Sequence, residues 1–502
     1  MYGIREIVTD NLNMADTGNG LYDNRRAFVD TENGIEVTII VQAYNKVEKT
    51  KRCVESILKY TTEIDYDLIL IDNGSTDNTF EYFKSVPYEK KKVLRLTKNL
   101  GSPFPGQYLS LSELGRFVCS VQSDLIMTEN WLSNLLTCIK SDERIGLVNA
   151  MSSNVSNLQG IDFPYKDYAE MQEKARVFNV SEPRKWQDRM RMIMLGSVVR
   201  KEVLLAIGWP MLDPGFAHDF GDDDTSFIIR RAGYRTVLAG DTWICHDHDW
   251  SHMEGKDPKK FQESLEIGRE NFKEKYMGVD AWEDCNNYYI PYMQNFPNVN
   301  KEKDISVLGV DVRCGTPILD LKNRLGLAGK EDVVLSAFVE DAKYWLDLKT
   351  ICRDVVCDRV EYLHERYSPN SFDYIIADKP LNLYADGLAL LDKLLGILAV
   401  NGTIIFKLRN THSILDQLYC LGEYGTFTRD CAQSISVEYL MERIGGRGVI
   451  YNGQIIPIKH EISVDDGFFD QIIPKTISGK KRDEVINKLM IKDYMFIFTK
   501  KY

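Results

Sequence analysis

Residues 36–60, EVTIIVQAYNKVEKTKRCVESILKY, decide the fold of the N-terminal part of the chain. The run Glu36–Gln42 is apolar and rich in β-branched residues, which is typical of a buried strand. In the segment that follows, apolar residues recur at helical spacing, namely Val47, Val54, Ile57 and Leu58. A second apolar run, Asp67–Ile71, ends in the turn-rich sequence NGSTDN. Strand, helix and strand in this order predict a βαβ unit and therefore a parallel sheet.

Polar residues follow the predicted strands of this sheet, which continue with Val93–Leu96 and Arg116–Val121. Open α/β sheets bind ligands in the crevice at the carboxyl ends of their strands, so the residues at those ends are candidates for a site. They are Ala43, Tyr44 and Asn45 after the first strand, Asp72 and Asn73 after the second, and Gln122, Ser123 and Asp124 after the fourth. The three groups predict a single ligand-binding edge.

Acidic residues and histidines are concentrated farther along the chain. The loop GFAHDFGDDD (215–224) contains three consecutive aspartates, and the segment Cys245–His252 reads CHDHDWSH. Four of the seven histidines fall in these two stretches, namely His218, His246, His248 and His252. Carboxylates and imidazoles in one region are suited to acid–base chemistry or to a metal ion.

The 502 residues exceed the ~250–300 that one core usually holds, so two domains are expected. An Asn- and Tyr-rich stretch over 281–304 is the predicted linker. A second α/β series begins after it with Ile305–Asp311 and continues through 332–338, 371–378 and 402–408. We therefore expect an N-terminal arm (1–33), a first α/β domain (34–280), a second one (305–410) and a C-terminal α+β extension of the latter (411–502).

Composition indicates an ordinary globular protein, with 44% hydrophobic and 27% charged residues. The net charge of −12 disfavours nucleic acid as a partner. No apolar run is long enough to span a bilayer, and the N-terminus has no secretory h-region. The ten cysteines are scattered, which favours reduced thiols. We expect a cytoplasmic location, with peripheral contact to the inner face of the membrane as an open alternative.

Five motifs in order give residues 34–277 a resemblance to the inverting GT-A glycosyltransferases of family 2. VTIIVQAYNKVEKTKRCVESIL resembles the opening strand and helix of that family, and DLILIDNGSTDNT resembles its nucleotide-binding turn. VQSDLIMTENWL stands where the family has a D-x-D motif. GDDDTSFIIRRAGYR corresponds to its E-D-x-D motif and helix, and DTWICHDH to the segment with its histidine.

The resemblance implies a divalent cation, Mn²⁺ or Mg²⁺, that meets the charge on a departing diphosphate. Asp124 and His246 match the metal positions of the family, whereas Gln122 replaces the first aspartate of D-x-D. Asp222 matches the general base, with Asp223 as the fallback because Gly221 replaces the preceding acid. Capping of the following helix is an alternative role for one of the aspartates, Asp224 first among them. For His248 and His252 a polar surface role is equally open.

For the nucleotide, the same resemblance places Tyr44 against the base and lets Asp72 or Asn73 accept the imide hydrogen of uracil or thymine. Ala43 and Ser123 complete the predicted nucleotide-binding set. A core role for Tyr44 and a turn role for Asn73 are the alternatives. A zinc site is disfavoured because no cysteine pairs have ligand spacing, and Cys352 and Cys357 are interpreted as packing residues.

Residues 305–409 resemble the class I S-adenosylmethionine methyltransferases. LGVDVRCGTPILDLKNRLG resembles the cofactor loop of that family, with Gly315 in a glycine position. Glu340 would then hold ribose hydroxyls, and Asp358 would lie by the adenine. The resemblance leaves two roles open: a second enzymatic site using S-adenosylmethionine, or a module for acceptor docking or homo-oligomerisation.

The sequence thus predicts transfer of a hexosyl or N-acetylhexosaminyl group from a nucleoside diphosphate sugar, UDP-sugar first, to a hydroxyl of a protein or of a lipid-linked or surface glycan. The alternatives are a bifunctional glycosyltransferase and methyltransferase, and a non-catalytic glycan-binding scaffold. The fold class expected throughout is α/β, with two nucleotide-binding-type domains in one chain.

Overall fold

The computed structural model describes residues 2–7, 34–101, 104–209, 213, 215–216, 219–248, 257–292, 304–330, 332–414, 434–445, 451–460 and 466–501. His218, His252 and most of the predicted N-terminal arm lie outside these ranges. The chain forms two compact units, one of Met1–Asn287 with Gly326–Gly329 and one of Tyr288–Leu325 with Lys330–Tyr502. The division after Asn287 falls inside the stretch 281–304, which remains the predicted linker.

The first unit contains a ten-stranded mixed sheet. Its strands are β1 (Gly3–Ile7), β2 (Val37–Ala43), β3 (Tyr66–Asn73), β4 (Lys91–Leu96), β5 (Phe117–Gln122), β6 (Leu125–Ile126), β7 (Ile145–Ser152), β8 (Trp186–Asp188), β9 (Ser197–Arg200) and β10 (Arg235–His246). The order is β1-β4-β3-β2-β5-β9-β7-β10-β6, and β8 pairs with β10. The run from β1 to β5 is parallel. The sequence predicts this for β2 to β5, whereas β1 lies in the predicted N-terminal arm, where no strand is expected. The antiparallel strand β9 then joins β5 to β7, so the whole sheet is mixed.

Seven helices accompany this sheet within the described ranges. They are α1 (Val47–Tyr60), α2 (Thr79–Ser85), α3 (Trp131–Lys140), α4 (Tyr168–Phe178), α5 (Lys201–Ile207), α6 (Gly221–Arg231) and α7 (Pro258–Lys275), with short 3₁₀ turns at Phe104–Tyr108, Leu111–Glu113 and Pro183–Lys185. The helix α1 forms where its apolar residues recur at helical spacing, and it buries Cys53, Val54 and Ile57 completely. These three side chains pack into the core beneath β2 and β3.

Strand register brings the polar groups together at one edge. In the pairing of β2 with β3, Ala43 lies opposite Asp72, and in the pairing of β2 with β5, Gln42 lies opposite Gln122. All three strands run in the same direction, so their carboxyl ends meet. The loops that begin at Tyr44, Gly74 and Ser123 therefore start from the same side of the sheet.

The second unit is built on a seven-stranded sheet. Its strands are β11 (Ile305–Val310), β12 (Val333–Val339), β13 (Asp354–Cys357), β14 (Phe372–Ala377), β15 (Leu398–Arg409), β16 (Tyr451–Lys459) and β17 (Ile491–Lys500). The order is β13-β12-β11-β14-β15-β17-β16. Strands β11 to β15 are parallel, and β17 runs antiparallel to both of its neighbours. Strands β16 and β17, whose arrangement sequence patterns do not define, thus extend the same sheet.

Seven helices also accompany the second sheet in the described ranges. They are α8 (Thr316–Leu327), α9 (Trp345–Lys349), α10 (Leu363–Arg366), α11 (Gly387–Ile397), α12 (Val437–Gly445), α13 (Asp466–Ile472) and α14 (Lys480–Leu489), with 3₁₀ turns at Ile290–Tyr292, Ala342–Tyr344, Val360–Tyr362 and Leu381–Leu383. The expectation of two α/β units in one chain is confirmed. Within the residues described, no helix has both the length and the apolar character needed to cross a membrane.

Candidate functional site

A carboxylate and two imidazoles meet at the carboxyl edge of the first sheet. Asp124 directly precedes β6, which pairs with the end of β10 so that Leu125 lies opposite His246. The Nε2 atom of His246 and the Nδ1 atom of His248 each lie 3.6 Å from Oδ2 of Asp124. One ligand atom from each of the three residues lies within 4.8 Å of the other two. The sequence predicts the pair Asp124 and His246, and the structure adds His248.

Neighbouring backbone groups hold this cluster in place. The N–H of Asp247 donates to the carbonyl oxygen of Asp124 at 2.9 Å. The Nδ1 atom of His246 lies 3.2 Å from the carbonyl oxygen of Asn154, so Nδ1–H donates there and the Nε2 lone pair is directed to Asp124. The backbone N–H of His246 donates to the hydroxyl of Ser153 at 3.0 Å. The ring is thus fixed in the tautomer that a metal ligand requires.

The carboxylate of Asp247, between the two histidines, is paired with helix α1 instead. Arg52 donates to it at 2.6 Å, and the ammonium of Lys49 donates to the carbonyl oxygen of the same residue. Side chains alternate between the two sides of an extended chain. His246 and His248 therefore contact Asp124, while the side chain of Asp247 contacts α1. The His-Asp-His spacing is the sequence signal from which the role of His248 could have been predicted.

The donor set fits a divalent cation. Burial raises the pKa of Asp124, but the adjacent imidazoles of His246 and His248 lower it by more, so the pKa lies below its ordinary value. The group is therefore an anion at neutral pH. One carboxylate oxygen with two imidazole nitrogens suits Mn²⁺ better than Mg²⁺, which prefers oxygen ligands alone.

Asp72 is a buried carboxylate with one oxygen unpaired. Its Oδ1 atom accepts a hydrogen bond from the N–H of Ser75 at 2.8 Å, which forms the turn after β3. Its Oδ2 atom is buried and has no hydrogen-bond partner, and the nearest cation is Nε of Arg95 at 3.9 Å. An unpaired buried acceptor is costly unless a ligand satisfies it. Tyr44, at the end of β2, is 46% exposed and so available to a ligand, whereas Ala43 is buried.

Asn73, the other predicted partner of the base, is occupied by the protein itself. Its Nδ2 atom donates to Oδ1 of Asn99 and to the carbonyl oxygen of Gly101, both at 3.0 Å. Its Oδ1 atom accepts a hydrogen bond from the N–H of Leu100 at 3.1 Å. The side chain fixes the loop after β4, so its hydrogen-bonding groups are used within the protein. Ser123 is partly exposed beside Asp124.

The three consecutive aspartates lie in the first turn of α6 and have different environments. Oδ2 of Asp222 accepts a hydrogen bond from the N–H of Met194 at 3.1 Å. Burial raises the pKa of Asp222 to about 7, with a further increase from the charge of Asp223 and opposing effects from Met194 and Arg191. Asp223 forms a buried ion pair with Arg191. The pKa of Asp222 thus lies near neutral pH, where a carboxyl group can both accept and release a proton.

The third aspartate does not cap α6. The helix begins at Gly221, and its N-cap residue is Phe220, which makes no side-chain capping hydrogen bond. Asp224 instead accepts hydrogen bonds from the hydroxyl of Tyr276 at 2.6 Å and forms an ion pair with Lys275 at 2.7 Å. The predicted N-cap role is thus wrong for Asp224, because the helix starts four residues earlier than that role requires.

Gln122, which departs from the family pattern, is bound to the segment before β9. Its Nε2 atom donates to the carbonyl oxygen of Met194 at 2.9 Å, and its Oε1 atom accepts from the N–H of Gly196 at 3.3 Å. In the second unit, Gly315 lies in the loop after β11, Glu340 follows β12 and Asp358 follows β13. The parallel sheet brings these three positions to its own carboxyl edge.

Part of the first unit matches a known protein family. Residues 38–178 match the family model described as glycosyl transferase family 2. This match confirms the predicted resemblance to that family over residues 38–178. No curated protein sequence matches the chain at a significant level.

Several solved structures are similar to parts of the chain. GalNAc-T7 with UDP, GalNAc and Mn²⁺ is 15% identical with a TM-score of 0.34, over 43% of this chain and 44% of that one. The mannosyltransferase PcManGT from Pyrobaculum calidifontis, in complex with GDP-Man and Mn²⁺, is 17% identical with a TM-score of 0.32, over 51% and 76%. A SAM-dependent methyltransferase from Archaeoglobus fulgidus is 16% identical with a TM-score of 0.29, over 45% and 97%. This chain thus spans less than half the length of the GalNAc-T7 structure.

Proposed function

We propose that the first unit is a GT-A glycosyltransferase that moves a sugar, with inversion, from a nucleoside diphosphate sugar to a hydroxyl group. The observation that carries the proposal is the cluster of Asp124, His246 and His248 at the carboxyl edge of a family 2 domain. A raised-pKa carboxyl group, Asp222, in the same unit supplies the base that such a transfer needs.

The base of the donor is bound at the loops after β2 and β3. The unpaired Oδ2 atom of Asp72 accepts the imide N–H of a uracil ring, and this supports a UDP-sugar as the donor. The exposed ring of Tyr44 lies against one face of the base. Ser123 contacts the donor between the base and Asp124. Asn73 fixes the loop around Gly101, next to Asp72.

Asp124, His246 and His248 hold the divalent cation, for which Mn²⁺ is the first choice. When bound there, a divalent cation neutralises negative charge on the diphosphate leaving group. The fixed tautomer of His246 presents Nε2 to the cation side, and the lowered pKa keeps Asp124 anionic. Arg52 and Lys49 keep the carboxylate of Asp247 directed to α1, so it does not compete with the ligand positions.

Asp222 removes the proton from the acceptor hydroxyl as the alcohol oxygen attacks the anomeric carbon. The new C–O bond forms on the face opposite to the diphosphate, the old C–O bond breaks, and its electron pair leaves with the diphosphate. The proton remains on Asp222, whose pKa of about 7 suits it to hold and then release a proton at neutral pH. Asp223 acts as a positioning residue, because its ion pair with Arg191 anchors the first turn of α6.

The transferred group in this proposal is a hexose or N-acetylhexosamine, and the acceptor is a hydroxyl of a protein or surface glycan in the cytoplasm or at the inner membrane face. Because an alcohol proton must reach Asp222, the acceptor approaches from the side of α6. The partial exposure of Asp222 supports access from that side.

A donor screen tests the proposal. The full chain is incubated with UDP-, dTDP- and GDP-sugars in the presence of Mn²⁺, Mg²⁺ or chelator, and both donor hydrolysis and the thermal midpoint are measured. We expect stabilisation and slow hydrolysis with one or more UDP-sugars and Mn²⁺, and neither effect for Asp124→Ala. A matched control is Asp341→Ala, an exposed aspartate of the second unit. No metal-dependent response to any nucleotide sugar in the native chain would contradict the proposal.

A further inference from the structure

The crevice of the second sheet is filled by a tyrosine of the same unit. The strand order reverses between β11 and β14, and such a switch point is where open α/β sheets bind ligands. The hydroxyl of Tyr289 donates to Oδ1 of Asp378, the residue directly after β14, at 2.7 Å. Its backbone N–H donates to Asp320 of α8 at 2.6 Å, and the side chain is almost completely buried. Tyr289 therefore connects α8 to the end of β14, at the switch point where a sheet of this kind would bind a ligand.

Positive charges complete a closed network around Asp378. The ammonium of Lys407, in β15, lies 2.5 Å from Oδ1 of Asp378 and 4.8 Å from the centre of the Tyr289 ring. The guanidinium of Arg313, in the loop after β11, lies 3.8 Å from Oδ2 of the same carboxylate. Only 3% of the Asp378 side chain is exposed. A buried carboxylate with two cations and a phenol as partners has its charge satisfied without a ligand.

The loop after β11 has the backbone of a ligand-binding loop but not its side chains. Asp311, Arg313 and Gly315 have φ values of 46°, 53° and 108°, a region that favours glycine. Small residues at such positions let a ligand approach the backbone. Here Asp311 accepts hydrogen bonds from the N–H of Glu340 at 2.8 Å and the hydroxyl of Tyr384 at 2.7 Å. Two of the three positions thus carry large side chains that bind within the protein.

The remaining cofactor candidates are also engaged. Glu340 accepts a hydrogen bond from the N–H of Val360 at 3.2 Å and forms an ion pair with Lys379 at 3.3 Å. Asp358 forms an ion pair with Arg366 at 2.8 Å. A ribose or adenine would have to break these contacts, because the carboxylates predicted to bind it already have partners.

We propose that the second unit is a sealed α/β module: Tyr289, Arg313 and Lys407 close its switch-point crevice, and it binds neither S-adenosylmethionine nor a related nucleoside cofactor. The residues at the crevice do not fit the cofactor that the methyltransferase resemblance implies. They stabilise the module instead, and this disfavours the bifunctional interpretation. The inference does not depend on the donor chemistry of the first unit.

Equilibrium dialysis of the full chain against labelled S-adenosylmethionine and S-adenosylhomocysteine is the direct test. We expect no saturable binding up to millimolar ligand, while an active class I methyltransferase in the same apparatus serves as the positive control. Saturable binding of either ligand at one site per chain would overturn the proposal.

A stability measurement tests the structural role separately. For Lys407→Met we expect a thermal midpoint at least about 2–4 °C lower and faster amide hydrogen exchange in β14 and β15, because Asp378 loses its closest cation. Tyr289→Phe should act in the same direction. The matched controls are Lys393→Met, whose ammonium donates a solvent-exposed hydrogen bond to the carbonyl oxygen of Glu361, and Tyr362→Phe, whose side chain is exposed. A higher thermal midpoint for Lys407→Met would contradict the proposal. It would indicate that Lys407 serves ligand binding, because residues kept for binding commonly reduce the stability of the fold.

Discussion

Gln122 and Asp222 bind the two sides of the same residue: the Gln122 amide donates to the carbonyl oxygen of Met194 at 2.9 Å, and Asp222 accepts from the Met194 N–H at 3.1 Å. Gln122 occupies the place of an aspartate in the related family, and Asp222 is the proposed base. An aspartate at position 122 could not donate to a carbonyl oxygen. The glutamine therefore positions the segment to which the base is hydrogen-bonded.

The donor hydrogen of Gln122 can be removed without changing the shape of the side chain. In Gln122→Glu the ionised carboxylate meets the carbonyl oxygen of Met194 with no hydrogen between them, so we expect a loss of about 1–3 kcal/mol in the free energy of unfolding at pH 8. At pH 5 the loss should be smaller, because a protonated glutamate can donate. Urea denaturation at the two pH values measures both effects. Equal losses at the two pH values would show that the donor hydrogen has no role.

Metal affinity should depend on both histidines of the cluster. For His246→Gln and His248→Gln we expect Mn²⁺ affinity to fall by at least about 10–100-fold, the range seen even for outer partners of metal ligands. Electron paramagnetic resonance of free Mn²⁺ measures the affinity with UDP present and absent. The control is His364→Gln, an exposed histidine of the second unit. Unchanged affinity for His248→Gln would remove that residue from the ligand set.

Asp124 and Asp222 should separate donor binding from transfer. Asp124→Ala is expected to abolish Mn²⁺-dependent donor binding, because the cluster loses its carboxylate. Asp222→Asn should leave donor affinity within about twofold and lower kcat by at least about 100-fold, the lower range for a general base. Calorimetry of donor binding and single-turnover kinetics measure the two quantities. If both variants lose donor affinity equally, the division of roles is wrong.

The sequence predicts much of this arrangement, because strand ends and hydrophobic periodicity are local signals. Asp124 and His246 are 122 positions apart, yet motif order alone places both at one edge, and the structure brings them to 3.6 Å. The His-Asp-His spacing is the sequence signal for His248, but its distance of 3.6 Å from Asp124 depends on the direction of the chain beyond β10, which periodicity does not define. The separate partners of Asp223 and Asp224 come from Arg191 and Lys275, and only tertiary packing decides those pairs.

For the second unit, the sequence predicts the position of the loop but not the contacts that fill it. Its loop after β11 can be located from the strand pattern, and Gly315 can be identified as a glycine position. The burial of Tyr289 against Asp378 could not be predicted, because residues 288–292 belong to an irregular segment with no periodic pattern. Contacts from such segments depend on the folded sheet rather than on their own sequence.

The free energy of unfolding should depend on pH because Asp222 is buried. Because its folded-state pKa is raised to about 7, the folded protein favours the protonated carboxyl group. The contribution of that group to stability is therefore complete at about pH 4 and is lost as the pH rises towards 7. Asp222→Asn removes the ionisation, so it should stabilise the protein at pH 8 by roughly 1–4 kcal/mol and have little effect at pH 4. Chemical denaturation at both pH values measures this, and destabilisation at pH 8 would contradict the raised pKa.

The same pKa predicts the dependence of activity on pH. The base must be ionised to accept the acceptor proton, so kcat/KM should fall about tenfold for each pH unit below about 7 and reach a plateau above it. Initial rates are measured at saturating Mn²⁺ between pH 5.5 and 9, with metal binding measured at each pH. This separates the fall in kcat/KM caused by protonation of Asp222 from any fall caused by loss of the cation. Asp341→Asn should keep the same profile, because that residue lies exposed in the second unit. A profile that is flat across pH 6 to 8, with the metal bound throughout, would exclude Asp222 as the base.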